Sequence, residues 1–397
     1  MSDPHDVRPQ PAGLNPSQAI GPLQTLDPSD RDPAAAHAFD QWMQLHTALA
    51  FEPEHALALL ELDGDPGRAL ARGALSPPHS ARSLAAVRKV LTRHGVTALP
   101  ITSRDYPVPL RALADPPALV FVRGNTQRLV GRLVGVVGAR AATVYGLDMA
   151  RQLGRRLARA GVTVVSGLAR GIDAAAHRGA LEAGGDTIAV QACGPDRTYP
   201  AEHRSLAREI ARCGAVISEF PVGTPPRPPY FPLRNRVISG LSCAVIVVEA
   251  RERSGSLITT RHAADQGRDV LALPGPITAP TSGGPNRLIR DGAVPIVDLD
   301  EVVELLGFES PAEPSEDAEV QEERETARVG EGGVRILRAL ARGGLHRDEL
   351  ARRVGARPEQ LDLDLVGLQL QGRIARDRDG RLVEVGGARR RADDAGS

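Results

Sequence analysis

Arginines placed just after glycine turns are the residues of this chain best suited to chemistry. Arg140 follows Gly138-Ala139 at the end of an apolar run, Leu133–Val137. Arg170 stands in a second turn, Ser166-Gly167-Leu168-Ala169-Arg170-Gly171, after Val162–Val165. A turn from a strand into a helix presents backbone amides where the helix dipole favours an anion. A guanidinium beside it can fork onto two phosphate oxygens. Gly138 would equally serve a chain that only packs helix tightly on strand. In the helix after the second turn, Asp173 and His177 lie four residues apart and suggest acid–base or metal chemistry, or a cap in the case of Asp173. No third ligand accompanies them, so neither a metal nor a catalytic residue is expected. Phe231-Pro232-Leu233-Arg234-Asn235-Arg236 joins two cations, an amide and a ring where a loop meets a helix. Charge for phosphates and a ring for a base are what a single-strand groove needs; the alternative is a solvated helix start with Phe231 in the core. Glu249 ends the strongest apolar run, Ala244–Val248, and could act as acid or base or orient Arg234 or Arg236. Ser254-Gly255-Ser256 opens the next helix.

The elements that must position these groups are read from hydrophobic pattern. Leu133–Val137, Val162–Val165, Thr187–Val190, Ala215–Ser218, Ala244–Val248 and Asp269–Leu273 are short apolar runs separated by helical sequence. Strands without polar alternation, separated by helices, predict a parallel sheet covered on both faces. The fold class is therefore α/β, an extended Rossmann-like, mostly parallel sheet. Such sheets bind ligands outside the carboxyl ends of their strands, where both glycine turns and the segment after Glu249 fall. A dinucleotide cofactor is not expected, and no other cofactor is. Gly135-Val136-Val137-Gly138 lacks the G-x-G-x-x-G spacing, and Ser166-Gly167 stands where a ribose-binding acid would be needed.

The 397 residues allow two or three domains. Residues 1–35 and 387–397 read as disordered, 36–100 as a small helical domain and 101–307 as the Rossmann-like domain. Residues 308–330 are an acidic linker, and 331–386, with three helices and a hairpin at Asp379-Gly380, read as a winged helix. With 49 basic and 49 acidic residues the net charge is zero, so any anion site must be local. Lys89 is the single lysine, a bias that a GC-rich genome accounts for, although an arginine-rich anion site can also grip phosphates bidentately. Three cysteines without metal-ligand spacing fit a reducing cytosol. Without a leader pattern or a membrane-length apolar run, the expectation is a soluble, cytoplasmic protein with no membrane partner.

These motifs, in this order, resemble the DNA-processing protein A (DprA/Smf) family over residues 105 to 307. The resemblance is carried by Val-Val-Gly-Ala-Arg140, Thr143-Val144-Tyr145-Gly146, Ser166 to Asp173 with His177, Tyr199-Pro200 and Ile217-Ser218-Glu219-Phe220-Pro221. Asn235 to Ser242, Glu249-Ala250, Ser254 to Thr259 and Pro274-Gly275 continue it. The resemblance implies a dimer that binds single-stranded DNA and helps load RecA recombinase during natural transformation, without catalysis. Carried onto this chain, it makes Gly138, Ala139, Arg140, Ser166, Gly167, Arg170, Phe231, Arg234, Asn235, Arg236, Ser254, Gly255 and Ser256 the expected DNA-binding residues. Ala139, Leu233 and His203 stand where the family often has serine, arginine and asparagine. A nucleotide-binding hydrolase on a Rossmann-like fold is the alternative, but its Pro-Gly-Gly-x-Gly-Thr loop is missing. A regulator that reads DNA with the winged helix is disfavoured by Glu359, Asp362 and Asp364 on the recognition helix, which repel phosphate.

Overall fold

A computed structural model describes residues 26–30, 32–49, 58, 65–72, 80–308, 329–330, 332–337, 339–340, 345–356, 358–371, 373–377 and 380–384. The expected disordered ends and acidic linker lie mostly outside these residues. So do the leucines at 57, 60 and 62 and the break at 76–78 in the expected helical domain. The chain forms two compact units, residues 1–311 and 312–397.

The first unit opens with helices α1 (Pro33–Ala48), α2 (Pro66–Arg72) and α3 (Ala81–His94). Strands β1 (Val96–Pro100) and β2 (Leu119–Gly124) bracket the short α4 (Val108–Arg111). There follow β3 (Leu133–Val137), α5 (Val144–Arg159), β4 (Thr163–Ser166), α6 (Ile172–Glu182), β5 (Thr187–Gln191), α7 (Arg204–Cys213) and β6 (Ala215–Ser218). The return half is α8 (Tyr230–Leu241), β7 (Ala244–Val247), α9 (Ser256–Asp265), β8 (Asp269–Ala272), α10 (Gly283–Arg290), β9 (Val294–Pro295) and α11 (Val302–Leu305).

One sheet runs β1-β2-β6-β5-β4-β3-β7-β8-β9. β3 to β9 pair in parallel, while β1 and β2 add an antiparallel edge. Every residue of β3 to β7 is buried, which is why their sequences are largely apolar, with polar residues confined to strand ends. Successive residues feed opposite layers. Val134, Val136, Val164 and Ile246 pack with Ala150, Leu153 and Leu157 of α5 and Ile172 and Ala176 of α6. Leu133, Val165, Ile188, Val245 and Val247 pack with Val237, Ile238 and Leu241 of α8. Each such valine, leucine or isoleucine contributes about 1.5–3 kcal/mol by leaving water. The second layer continues through Ile217 and Phe121 to Phe39, Trp42, Leu45 and Leu91. Helices α1 and α3 thus share a core with the sheet, and β1, from the end of the expected helical domain, is its edge strand.

Two glycines let α5 and α6 approach closely. A Cβ on Gly179 would sit 2.0 Å from the Arg151 carbonyl oxygen, and one on Gly154 would sit 2.3 Å from that of Ala176. From β3 the chain winds outward through β4 and β5 to β6, then returns to place β7 on the other side of β3. Winding reverses between β3 and β7, and the crevice outside their carboxyl ends is where such sheets take ligands. No helix among the described residues is long and apolar enough to cross a membrane.

The second unit contains helical residues 332–337 and 339–340, helices α12 (Arg347–Val354) and α13 (Pro358–Leu370), and the antiparallel hairpin β10 (Ile374–Arg376) and β11 (Leu382–Glu384). Ile336, Leu337, Leu340, Leu350, Leu361, Leu365, Leu368, Ile374 and Leu382 form its core. Gly380 in the hairpin turn has φ of 77°. On α13, Asp362 accepts hydrogen bonds from Arg347.

Candidate functional site

The crevice between β3 and β7 is an open cleft of about 680 Å³. It gathers Gly138, Ala139 and Arg140 from the first turn, Phe231, Arg234 and Asn235 from the start of α8, and Ser254, Gly255 and Ser256 from the start of α9. Ser166, Gly167, Arg170 and Arg236 do not line it, whereas Tyr199, Arg251 and Arg253 do.

The Ala139 amide of the first turn is already engaged. Ala139 N–H donates to the Glu249 carbonyl (2.7 Å), and the Ala139 carbonyl accepts from Ile172 N–H (3.2 Å). A Cβ on Gly138 would lie 2.5 Å from Ile172 Cγ1, so this glycine serves close packing. The helix end beyond it is also filled from within. Thr143 Oγ1 caps α5 by accepting from Gly146 N–H (3.0 Å). The buried Glu249 carboxylate accepts from Thr143 N–H (2.9 Å) and from Thr143 Oγ1 (2.6 Å). Glu249 therefore orients neither Arg234 nor Arg236: its carbonyl and its carboxylate grip the two ends of the loop that carries Arg140. An internal carboxylate thus sits at the start of α5.

The second turn is closed in the same way. Asp173 Oδ2 accepts from Gly167 N–H (3.1 Å) and Ala169 N–H (3.3 Å). Burial pushes this acid up, against the pull of Arg234. Ser166 is fully buried and its hydroxyl donates to the Val136 carbonyl (2.6 Å). His177 does not join Asp173. Its Nδ1 lies 2.6 Å from Thr187 Oγ1, whose proton goes to the Val164 carbonyl, so Nδ1 is the donor. Burial lowers His177 to about 3 and keeps it neutral. No cluster of three His, Cys, Asp or Glu residues that could hold a metal occurs among the described residues.

At α8 the Arg-Asn-Arg run divides. Arg234, 4% exposed, donates through Nη1 to the carbonyls of Gly167 (2.7 Å) and Val190, joining the ends of β4 and β5 beneath the cleft. Burial lowers its pKa to about 10, so it stays charged at neutral pH. Asn235 Nδ2 donates to the Gly255 carbonyl (3.2 Å) and ties α8 to the turn before α9. Arg236 is buried against Glu219, with Asp115 Oδ2 3.0 Å from its Nε. Arg170 is exposed but engaged by both oxygens of Glu202. Neither Arg170 nor Arg236 is offered to a ligand in the cleft, because each is matched to a carboxylate of this chain.

Exposed cations on the cleft are Arg140, Arg251 and Arg253. The Arg140 guanidinium lies 4.6 Å above the Phe231 ring, and the Tyr199 ring is 5.7 Å from Phe231 at 54°. Guanidinium groups beside aromatic faces can hold phosphates and stack a base together. Arg251 and Arg253 had a legible signal, standing in the loop after β7 on the ligand edge. Tyr199 had one too: an aromatic in a loop at a strand end of an aromatic-poor chain.

The sequence model of the family described as DNA recombination-mediator protein A matches residues 97–307. The chain is 43% identical over 230 residues to DNA processing protein DprA of Bacillus subtilis (strain 168), covering 58% of this chain and 76% of that one. It is 47% identical over 211 residues to Protein Smf of Escherichia coli (strain K12), covering 53% and 56%. The latter match thus spans little more than half of the relative's own length. DNA processing protein A of Streptococcus pneumoniae has a similar solved structure, at a TM-score of 0.59 and 34% identity over 68% of this chain and 98% of that one.

Proposed function

The chain belongs to the DNA recombination-mediator protein A family, and from that premise we propose that its switch-point cleft binds single-stranded DNA without catalysis. The observation that carries this reading is the Arg140–Phe231–Tyr199 group, an exposed cation over the Phe231 ring, which in turn meets Tyr199, on a cleft also lined by Arg251 and Arg253. Single-strand grooves use this combination, since every base has a face to stack and every nucleotide a phosphate. Duplex DNA hides its base faces and would leave Phe231 and Tyr199 unused. The non-enzymatic reading is supported by Asp173, which lines the cleft, and by Glu249 at the end of the adjoining strand, whose oxygens accept from Gly167 and Ala169 and from Thr143 respectively.

The wider role follows the family. The protein protects incoming single strands and helps load RecA recombinase on them in natural transformation, acting as a homodimer in the cytoplasm. The second unit is a winged helix whose acidic α13 meets protein rather than DNA. Fluorescence anisotropy with a labelled oligothymidine and a duplex of equal length tests the core of the proposal. Tighter binding of the single strand is expected, and equal or tighter binding of the duplex overturns it. RecA loading is tested separately, as faster RecA filament growth on single strands coated with single-strand-binding protein.

A further inference from the structure

Consecutive strands of the sheet, β7, β3 and β4, are each followed by arginine in the loop at the same carboxyl edge: Arg251 and Arg253, then Arg140, then Arg170. The loop after β5, the next strand along, carries Tyr199 and Glu202. At about 4.8 Å between strands, these four ends span about 14 Å. The cations of this row differ in one respect. Arg140, Arg251 and Arg253 face the cleft, whereas Arg170 is held by a carboxylate in fork-to-fork geometry, with Nε on Glu202 Oε1 and Nη2 2.9 Å from Oε2. The pair sits at the cleft's rim, since the neighbours Ala169 and Tyr199 both line it. It is exposed, at 60% for Arg170 and 53% for Glu202, so packing does not require it.

The placement of Glu202 is fixed independently. The next residue, His203, is buried, and its Nδ1 donates to the Leu168 carbonyl (2.9 Å), at a residue with φ of 57°. This bond fastens the loop after β5 onto the turn after β4 and sets Glu202 over Arg170. The Arg170 guanidinium in turn holds the Glu202 carboxyl below its usual range.

We infer that Arg170 is a latent phosphate subsite, filled in the free protein by the Glu202 carboxylate, which ends the DNA phosphate track at β3. A carboxylate presents two oxygens to a guanidinium as a phosphodiester does. Strand DNA reaching Arg170 must displace Glu202 and then lie beside its negative charge. The inference rests on the single-strand reading above and sets how far the strand is gripped along the edge.

Anisotropy with labelled oligothymidine at several salt concentrations tests it, using the full chain, E202Q and R170A/E202Q. E202Q should bind about fivefold tighter at ~0.1 M salt, with the dependence of log affinity on log salt steeper by about 0.7, the effect of one added phosphate contact. The double variant should return to wild-type affinity and slope. Unchanged or weaker binding by E202Q overturns the inference. So does a gain that survives in R170A/E202Q, because relief from the Glu202 charge alone would then account for it. Binding by the wild type with no gain in E202Q removes only this inference. Absence of binding in both removes the single-strand reading as well.

Discussion

Arg236 and Arg140 carry the same guanidinium, and sequence reasoning gave both to DNA, yet the protein uses them in opposite ways. Arg236 lies inside α8 against Glu219 and Asp115, and its neighbour Arg234 joins strand-end carbonyls. Arg140 rests on the face of Phe231 at the cleft mouth, with Arg251 and Arg253 beyond it. The buried set holds the ends of β4, β5 and α8 in place; the exposed set lines the cleft. Breaking a buried pair leaves an uncompensated charge away from water, whereas truncating an exposed cation leaves the fold almost unaffected.

The contrast is sharpest in stability. Arg236→Ala should destabilise the protein by about 3–5 kcal/mol at neutral pH, measured by chemical denaturation, because Glu219 keeps its burial and loses its cation. Burial already raises Glu219 above its ordinary value, with Arg236 pulling the other way, so the variant raises it further. A carboxyl raised in the folded state favours folding when protonated, and that advantage is lost as pH rises through its folded pKa. The deficit of Arg236→Ala should therefore shrink on acidification from neutral towards Glu219's raised pKa. An equal deficit at both ends of that range would show that the Glu219 charge is not its cause.

Affinity should show the reverse pattern. Phe231→Ala should cost about 1–3 kcal/mol of single-strand binding, since it removes a stacking face. Arg140→Ala should lower the salt dependence of log affinity by about 0.7 for one lost phosphate contact, and Arg251→Ala and Arg253→Ala should each act in the same direction. Circular-dichroism melts of these arginine variants should stay within about 0.5 kcal/mol of wild type. The exposed Arg159, at the far end of α5, is the control and should change neither quantity. A folded Arg140→Ala with an unchanged salt slope would remove the phosphate role from the first turn. The smallest effect belongs to the second unit: deleting residues 331–397 should leave single-strand affinity as it is, and a marked loss would mean that α13 meets DNA despite its acids.

Much of this was legible in the chain. Unbroken apolar runs required strands buried on both faces, which is satisfied in a parallel sheet. The same runs put the turns after Val137, Ser166 and Val248 on one edge, so the cleft's place was readable. Gly138, Phe231 and Ser254 to Ser256 were expected there and line it. Which arginines face it was not readable, because a residue's type does not say what stands opposite.

The sequence by itself determined the local terms: hydrophobic period, turn residues, and the supply of guanidinium groups near strand ends. Tertiary structure decided which of those groups are free. Glu249 reaches Thr143 across 106 residues, Arg234 reaches Gly167 across 67, and Arg170 meets Glu202 across 32. Amides and cations that looked open in the chain are neutralised by partners that only the winding of the sheet brings near. Desolvation acts on each group where it ends up, which is why identical arginines become a buried strut in one place and an exposed cation on the cleft in another.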